Sequence, residues 1–286
     1  MMWRRSQGIA LVSVLWLLVL LTTIAVTLTT TVRSEIRAVG NTVEMTRAKY
    51  AAEAGVELGV LNLLIPQIQR YPTDGSVREL TLRDVTVRIA TRDEAGKVDL
   101  NHAGAEVLIA LLVQAGVEMN RASAIADAVL DWRDDDDMRR LNGAEDADYR
   151  IAGRGYGAAD DKFYSVDELQ RVLGMEPDIF AAIEPALTVY SGLAGTNPQL
   201  ASPQVVNAIS GLPAAQTNAS GLSYTIYVEA TTTAGIMSRV AATVALAPGS
   251  AGRPYQVLAW RQLQKSPFGS PSPDDALYAG TMEDIR

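Results

Sequence analysis

The chain has no cysteine and a single histidine, His102. The first absence excludes disulfides, zinc–thiolate sites and thiol redox pairs, and leaves the compartment to be read from other features. The second means that any Ser-His-Asp site would have to be built around one imidazole. His102 follows Leu100-Asn101 at an expected helix start, where Asn101 is a natural cap, and a histidine beside a cap is commoner than a catalytic base. There is also no Gly-rich nucleotide loop and no zinc-ligand spacing. A non-enzymatic role is therefore expected. Basic charge is scarce too: 25 Lys and Arg stand against 33 Asp and Glu, for a formal net charge of -8. Phosphate binding rests on clustered Lys and Arg, so this balance argues against a nucleic-acid partner.

Charge is missing altogether from Ile9 to Val32, and this is the longest apolar run in the chain. At about 1.5 Å per residue such a helix spans roughly the 30 Å hydrocarbon core of a bilayer. Arg4 and Arg5 precede it, which places Met1 on the cytoplasmic side and the bulk of the chain across the membrane. A secretory signal would carry a shorter apolar region followed by a small-x-small cleavage site. Here the order is reversed. A basic leader, Met1 to Ser6, meets Gln7-Gly8 immediately before the apolar run. The junction resembles the site at which prepilin peptidase cuts after Gly, which would make Ile9 the new N-terminus, at position 9 of the full chain.

Beyond Arg33 the helical pattern continues to Pro66, with Val43, Tyr50, Ala54, Leu58, Leu61 and Ile65 at spacings compatible with a 3.6-residue period. A second stripe is made of small residues, Ala48, Ala52, Gly55 and Gly59. It would let another backbone approach closely, either the protein's own sheet or a neighbouring subunit. Glu79 to Thr91 alternates as one or two strands, and strand patterns return at Ser223 to Ala230, Ile236 to Leu246 and Tyr255 to Leu263. Between them the period is helical, as in Ala105–Ala115, Arg121–Trp132, Val166–Leu173 and Asp178–Ile183. The expected class is α+β. A long N-terminal helix (9–66, with 9–32 in the membrane) packs on an antiparallel sheet from 71–95 and 203–265. A helical domain is inserted over 96–193, leader residues 1–8 precede the helix, and a tail of 266–286 follows the sheet. Gly192–Ser202 and Gly211–Gly221 are expected to be a linker and a loop.

Nine carboxylates and three arginines lie between Asp127 and Asp148, with four aspartates in succession at Asp134 to Asp137. Calcium takes six to eight oxygens, and an irregular acidic loop can wrap it where a regular helix face cannot. Asp131, Asp134, Asp136 and Asp137, with Glu145, Asp146 and Asp148, would supply enough ligands for one ion or two. A solvated acidic face, partly neutralised by Arg133, Arg139 and Arg140, fits the residues equally well. The spacing is not that of an EF-hand. Val98–Leu112 and Val166–Ile183 are similar to helix-hairpin-helix (SAM-like) modules that grip DNA backbones. The first turn, Gln114-Ala115-Gly116-Val117, has acidic surroundings, so a packing scaffold is expected instead.

The leader junction Gln7-Gly8-Ile9-Ala10-Leu11, the run Gly96-Lys97-Val98-Asp99-Leu100-Asn101 and Asp131-Trp132 followed by Gly143-Ala144-Glu145-Asp146 together resemble the K-type minor pseudopilin of the type II secretion system. Ser13 stands at the fifth mature position, where most pilins carry Glu; in those proteins that carboxylate is thought to be neutralised by the terminal amine of the subunit ahead. K-type subunits lack this Glu, as expected of a subunit at the tip with no neighbour ahead. The resemblance implies a pilin-like fold with a large helical insertion, cleavage after Gly8, methylation of Ile9 and insertion in the bacterial inner membrane with the bulk periplasmic. It also implies a tip complex with I- and J-type minor pseudopilins, contact with the secretion machinery, and calcium binding in the acidic stretch. A type IV minor pilin would share the leader and helix without the insertion. A membrane-anchored DNA receptor is the rival from another class.

Overall fold

A computed structural model describes residues 7–247 and 254–268. The basic leader with Arg4 and Arg5, and the tail beyond Phe268, lie outside the described residues. Helix α1 (Gln7–Leu64) is continuous and contains Leu11–Thr29, among the described residues the one helical stretch long and apolar enough to cross a membrane. Threonines in and just after the second half of this stretch, Thr22, Thr23, Thr27, Thr29 and Thr31, bond back to carbonyls three or four residues earlier, so their hydroxyls are satisfied within the helix. Pro66 stops the helix. Arg70 donates to the freed carbonyl of Ile65, and Asn62 Oδ1 accepts from Tyr71 N at 2.9 Å, turning the chain back.

Two strands follow, β1 (Asp74–Leu82) and β2 (Val85–Asp93), joined by a hairpin with Arg83 at φ +57°. They continue in space to β5 (Ser223–Thr232), β6 (Met237–Leu246) and β7 (Tyr255–Gln262), giving an antiparallel sheet of order β1-β2-β5-β6-β7. Without residues 94–222 this would be a plain meander. Strand alternation sends Val87, Ile89, Ile226, Val228, Val240, Ala242 and Val244 to the face that meets α1.

On the helix, the stripe that meets this face is the small one: Ala48, Ala52, Gly55, Val56, Gly59, Val60 and Leu63. A Cβ at Gly55 would come within 2.6 Å of Val228 Cγ1, and one at Gly59 within 2.6 Å of Ile226 Cγ2. The branched side chains of the sheet fill the interface, so the helix must be nearly bare there. The larger stripe faces largely outward, with Val43, Tyr50 and Leu61 exposed.

The inserted segment opens at β3 (Val98–Asp99) and contains α2 (Ala105–Gln114), α3 (Met119–Arg133), α4 (Asp146–Ile151), a 3-10 turn at Val166–Arg171 and α5 (Pro177–Ile183). β4 (Leu187–Thr188) then pairs in parallel with β3. Val166–Leu173, expected as α-helix, is thus the tighter 3-10 form over most of its length, started by a Ser165–Glu168 capping box.

The block does not end near Leu193. Helix α6 (Pro203–Ile209) packs on α2, and Val205, Ala208, Ile209 and Ala215 belong to the helical core, not to the sheet. Gly192–Ser202 is likewise no free linker. Thr196 and Asn197 are buried, Asn197 N donates to Ala95 O, and a Cβ at Gly96 would overlap the carbonyl of Leu200. These apolar residues belong to the helical core because the sheet's helix face is already covered by α1.

Candidate functional site

The acidic stretch is organised by the end of α3 and the start of α4. Asp131 lies on the last turn of α3, fully buried, and accepts from Arg140 N and from Arg140 Nε at 3.2 Å. Asp134 is the C-cap of that helix and accepts from Arg140 Nη2 at 3.1 Å. Glu145, the N-cap of α4, is buried beside them. One carboxylate oxygen from each of Asp131, Asp134 and Glu145 lies within 4.8 Å of the others. A Cβ at residue 143 would overlap Asp131 Oδ2, so the chain carries Gly143 where it crosses this carboxylate.

The remaining acids do not join the trio. Asp136 accepts from Met138 N. Asp148 closes the capping box of α4 by accepting from Glu145 N, and pairs with Arg139 at 2.9 Å. Asp146 lies against Gly157, where a Cβ would overlap its carboxylate, and Asp137 is exposed. Residues 145–148 were expected only as a second arm of ligands, with no helix assigned to them. They instead open a helix, because the first-turn acids satisfy its free N–H groups.

Electrostatics mark the trio as strained. Burial, followed by the charges of Asp131 and Asp134, pushes the Glu145 carboxyl from its ordinary 4.5 up to about 7. Burial also raises Asp131, against hydrogen bonds that lower it, with Asp134 adding to the rise. Glu145 Oε1 and Asp134 Oδ1 are buried with no hydrogen-bond partner among the described residues. Buried carboxylate oxygens are rarely left without a donor or a cation. An all-oxygen set with two unsatisfied oxygens suits a hard cation such as calcium. Arg140 is the competing cation already at the site.

Asp160 also belongs to this neighbourhood. It sits at φ +50°, and burial with the charges of Asp146, Asp137 and Asp134 raises its pKa. Its distance along the chain hid it from the sequence; the non-Gly left-handed backbone is visible only in the fold.

At the base of the block Asp99, buried, accepts from Asn101 N, Ser191 Oγ and Gly192 N and pairs with His102 Nδ1 at 3.1 Å. Asn101 caps no helix, because the N-cap of α2 is Gly104. Its amide clamps the backbone of Phe163 with two bonds, of 2.9 and 2.7 Å. In the hairpin between α2 and α3, Gly116 has φ +90° as such a turn requires. The Glu118 carboxylate accepts from Asn120 N and Arg121 N at the start of α3. A phosphate entering there would have to displace Glu118. Gly8 and Ile9 stand in the first turn of α1, and Ser13 lies on the same helix within the apolar stretch.

Residues 81–192 match the family of type II secretion system (T2SS), protein K, and residues 7–57 match the PilX N-terminal family. The chain is 27% identical over 206 residues to type II secretion system protein K of Klebsiella pneumoniae, covering 63% of this chain and 62% of that protein. It is 36% identical to the Pectobacterium carotovorum protein K over 81 residues, 28% of this chain and 25% of that one. It therefore spans about 62% of the length of the longer curated matches. Its fold is that of a chain in the crystal structure of the GspK-GspI-GspJ complex from the type 2 secretion system of enterotoxigenic Escherichia coli. The TM-score is 0.60 at 16% identity, covering 78% of this chain and 98% of that one.

Proposed function

Because the chain belongs to the family of type II secretion system protein K, we propose that it is a minor pseudopilin at the tip of the pseudopilus, assembling with I- and J-type minor pseudopilins in support of the export of folded proteins. One observation carries this reading: a membrane-length helix laid on a meander sheet, with a large helical block set into the connection between β2 and β5. Subunits stacked inside a fibre need a slim outline, and a block of this size suits a terminal place. The role is assembly, not catalysis, in keeping with a family of structural components.

In this reading prepilin peptidase removes residues 1–8 after Gly8 and Ile9 is methylated. The helix then sits in the inner membrane with its N-terminus cytoplasmic and the bulk periplasmic. Ser13 in place of a buried carboxylate supports a subunit with no neighbour ahead of it. Calcium would be held by Asp131, Asp134 and Glu145, where it would supply positive charge to a carboxylate group that burial leaves under-neutralised. Support for excluding nucleic acid comes from the acidic balance and from Glu118 at the α3 start.

Mass spectrometry of the mature protein from a secretion-competent host tests the processing, and the expected N-terminus is methylated Ile9. A product retaining Met1 to Gly8 would sink it. Calorimetry tests the metal. Calcium is expected to release heat and raise the melting temperature, and both effects are expected to vanish in Asp134→Ala and Glu145→Ala.

A further inference from the structure

Three large apolar side chains stand almost wholly in solvent on one part of the helical block: Leu141 at 90% exposure, Ile151 at 85% and Met138 at 75%. Single exposed apolar residues are ordinary, but several carried by adjoining segments mark a contact surface. These segments do adjoin. Met138 and Leu141 flank Arg139 and Arg140 on the loop after α3, and Arg139 reaches Asp148, one turn before Ile151 on α4.

The loop is not free to turn these side chains inward. Its backbone is held at Arg140 N by Asp131, at Asn142 N by Asp127 and at Gly143 N by Arg140 O. The same ties send the charges in opposite directions. Arg139 and Arg140 are drawn onto Asp148, Asp131 and Asp134, while Asp135, Asp136 and Asp137 remain exposed. Next to Met138 the loop therefore carries three exposed aspartates, while the exposed Arg150 and Arg154 neighbour Ile151 along the chain.

We propose that the 134–144 loop and α4 form a docking surface for a partner protein whose contact face presents apolar residues bordered by Lys or Arg. The proposal rests on the pseudopilin reading above and gives the helical block its own task. Apolar anchors supply the affinity and the aspartate rim selects the partner by charge. A bilayer surface is the weaker candidate, because anionic headgroups would meet Asp135, Asp136 and Asp137.

The test uses the full chain in a secreting host, with a photo-crosslinking side chain at Leu141 and, as control, at exposed Gln170. A discrete protein adduct is expected from position 141 and not from 170, reduced about tenfold when Asp135→Lys and Asp137→Lys are combined. The triple variant Met138→Gln, Leu141→Gln, Ile151→Gln should lower export about tenfold while keeping its melting temperature and its I- and J-type partners. Equal adducts at both positions, none at either, adducts to lipid, or adducts insensitive to charge reversal would overturn the proposal, as would normal export by the triple variant. If the wild-type chain itself fails to assemble with those partners, the pseudopilin reading falls instead, so the two failures are told apart.

Discussion

The helix–sheet unit and the helical block are assembled by opposite means. In the first, a bare helical stripe of Ala48, Ala52, Gly55 and Gly59 is pressed against branched strand residues, and register follows from alternation. On the far face of its sheet the buried Glu229 bridges Arg88 and Arg239. In the second, short helices and turns are held by buried carboxylates and one amide: Asp99 gathers the base, Asn101 clamps Phe163, and Asp131 with Glu145 joins α3 to α4. Regular elements satisfy their own backbone, whereas irregular ones need side chains to do it. In the block these buried carboxylates serve the backbone of irregular segments, and among the described residues the acidic trio that could hold a metal lies there.

The difference is best broken at Trp132, which is buried among Tyr149, Tyr156 and Phe163, with the Arg171 guanidinium 5.7 Å from its ring. Trp132→Ala should cost the block about 3–5 kcal/mol. Hydrogen exchange is expected to show lost protection in α2 and α3, with β5 and β6 still protected. Next comes pH. Glu145 titrates near 7 in the folded chain against an ordinary 4.5. The folded state then binds more protons than the unfolded one between those values, so metal-free stability falls as pH rises from about 5 to 8, by up to about 3 kcal/mol. Glu145→Gln should flatten this slope in thermal melts, and calcium should remove it.

For the other unit the sharpening change is Gly59→Leu, which drives a side chain into Ile226. Overpacking of this kind costs about 1–3 kcal/mol, and here the sheet amides should lose protection while the block keeps it. The smallest effect is expected from Asn101→Ala. It removes two bonds to Phe163 and should lower the melting temperature of the block by an amount equivalent to about 1–2 kcal/mol. A variant from either unit that destabilised both equally would show that they unfold as one.

Much of the fold was legible in the sequence. Strand patterns located β2, β5, β6 and β7 and left open whether 79–91 held one strand or two, and Pro66 marked the end of α1 to within two residues. What periodicity could not say was which helical stripe meets the sheet, because two stripes had the required spacing and the choice depends on the bulk supplied by the strands. The end of the block was missed because α6 is only seven residues long and lies in Pro- and Gly-rich surroundings. Helix α4 was hidden by its own acids, although Glu145 and Asp148 have the spacing of a capping box. The candidate site was legible as a charge cluster and no further. Which carboxylates converge depends on α3 ending where α4 begins, and that is a property of packing.

The proposed place at the tip is tested by co-purification of the chain from Arg33 onward with I- and J-type minor pseudopilins. A stable complex containing all three, eluting as one species, is the predicted result. A folded domain that stays monomeric in the presence of both partners would contradict it.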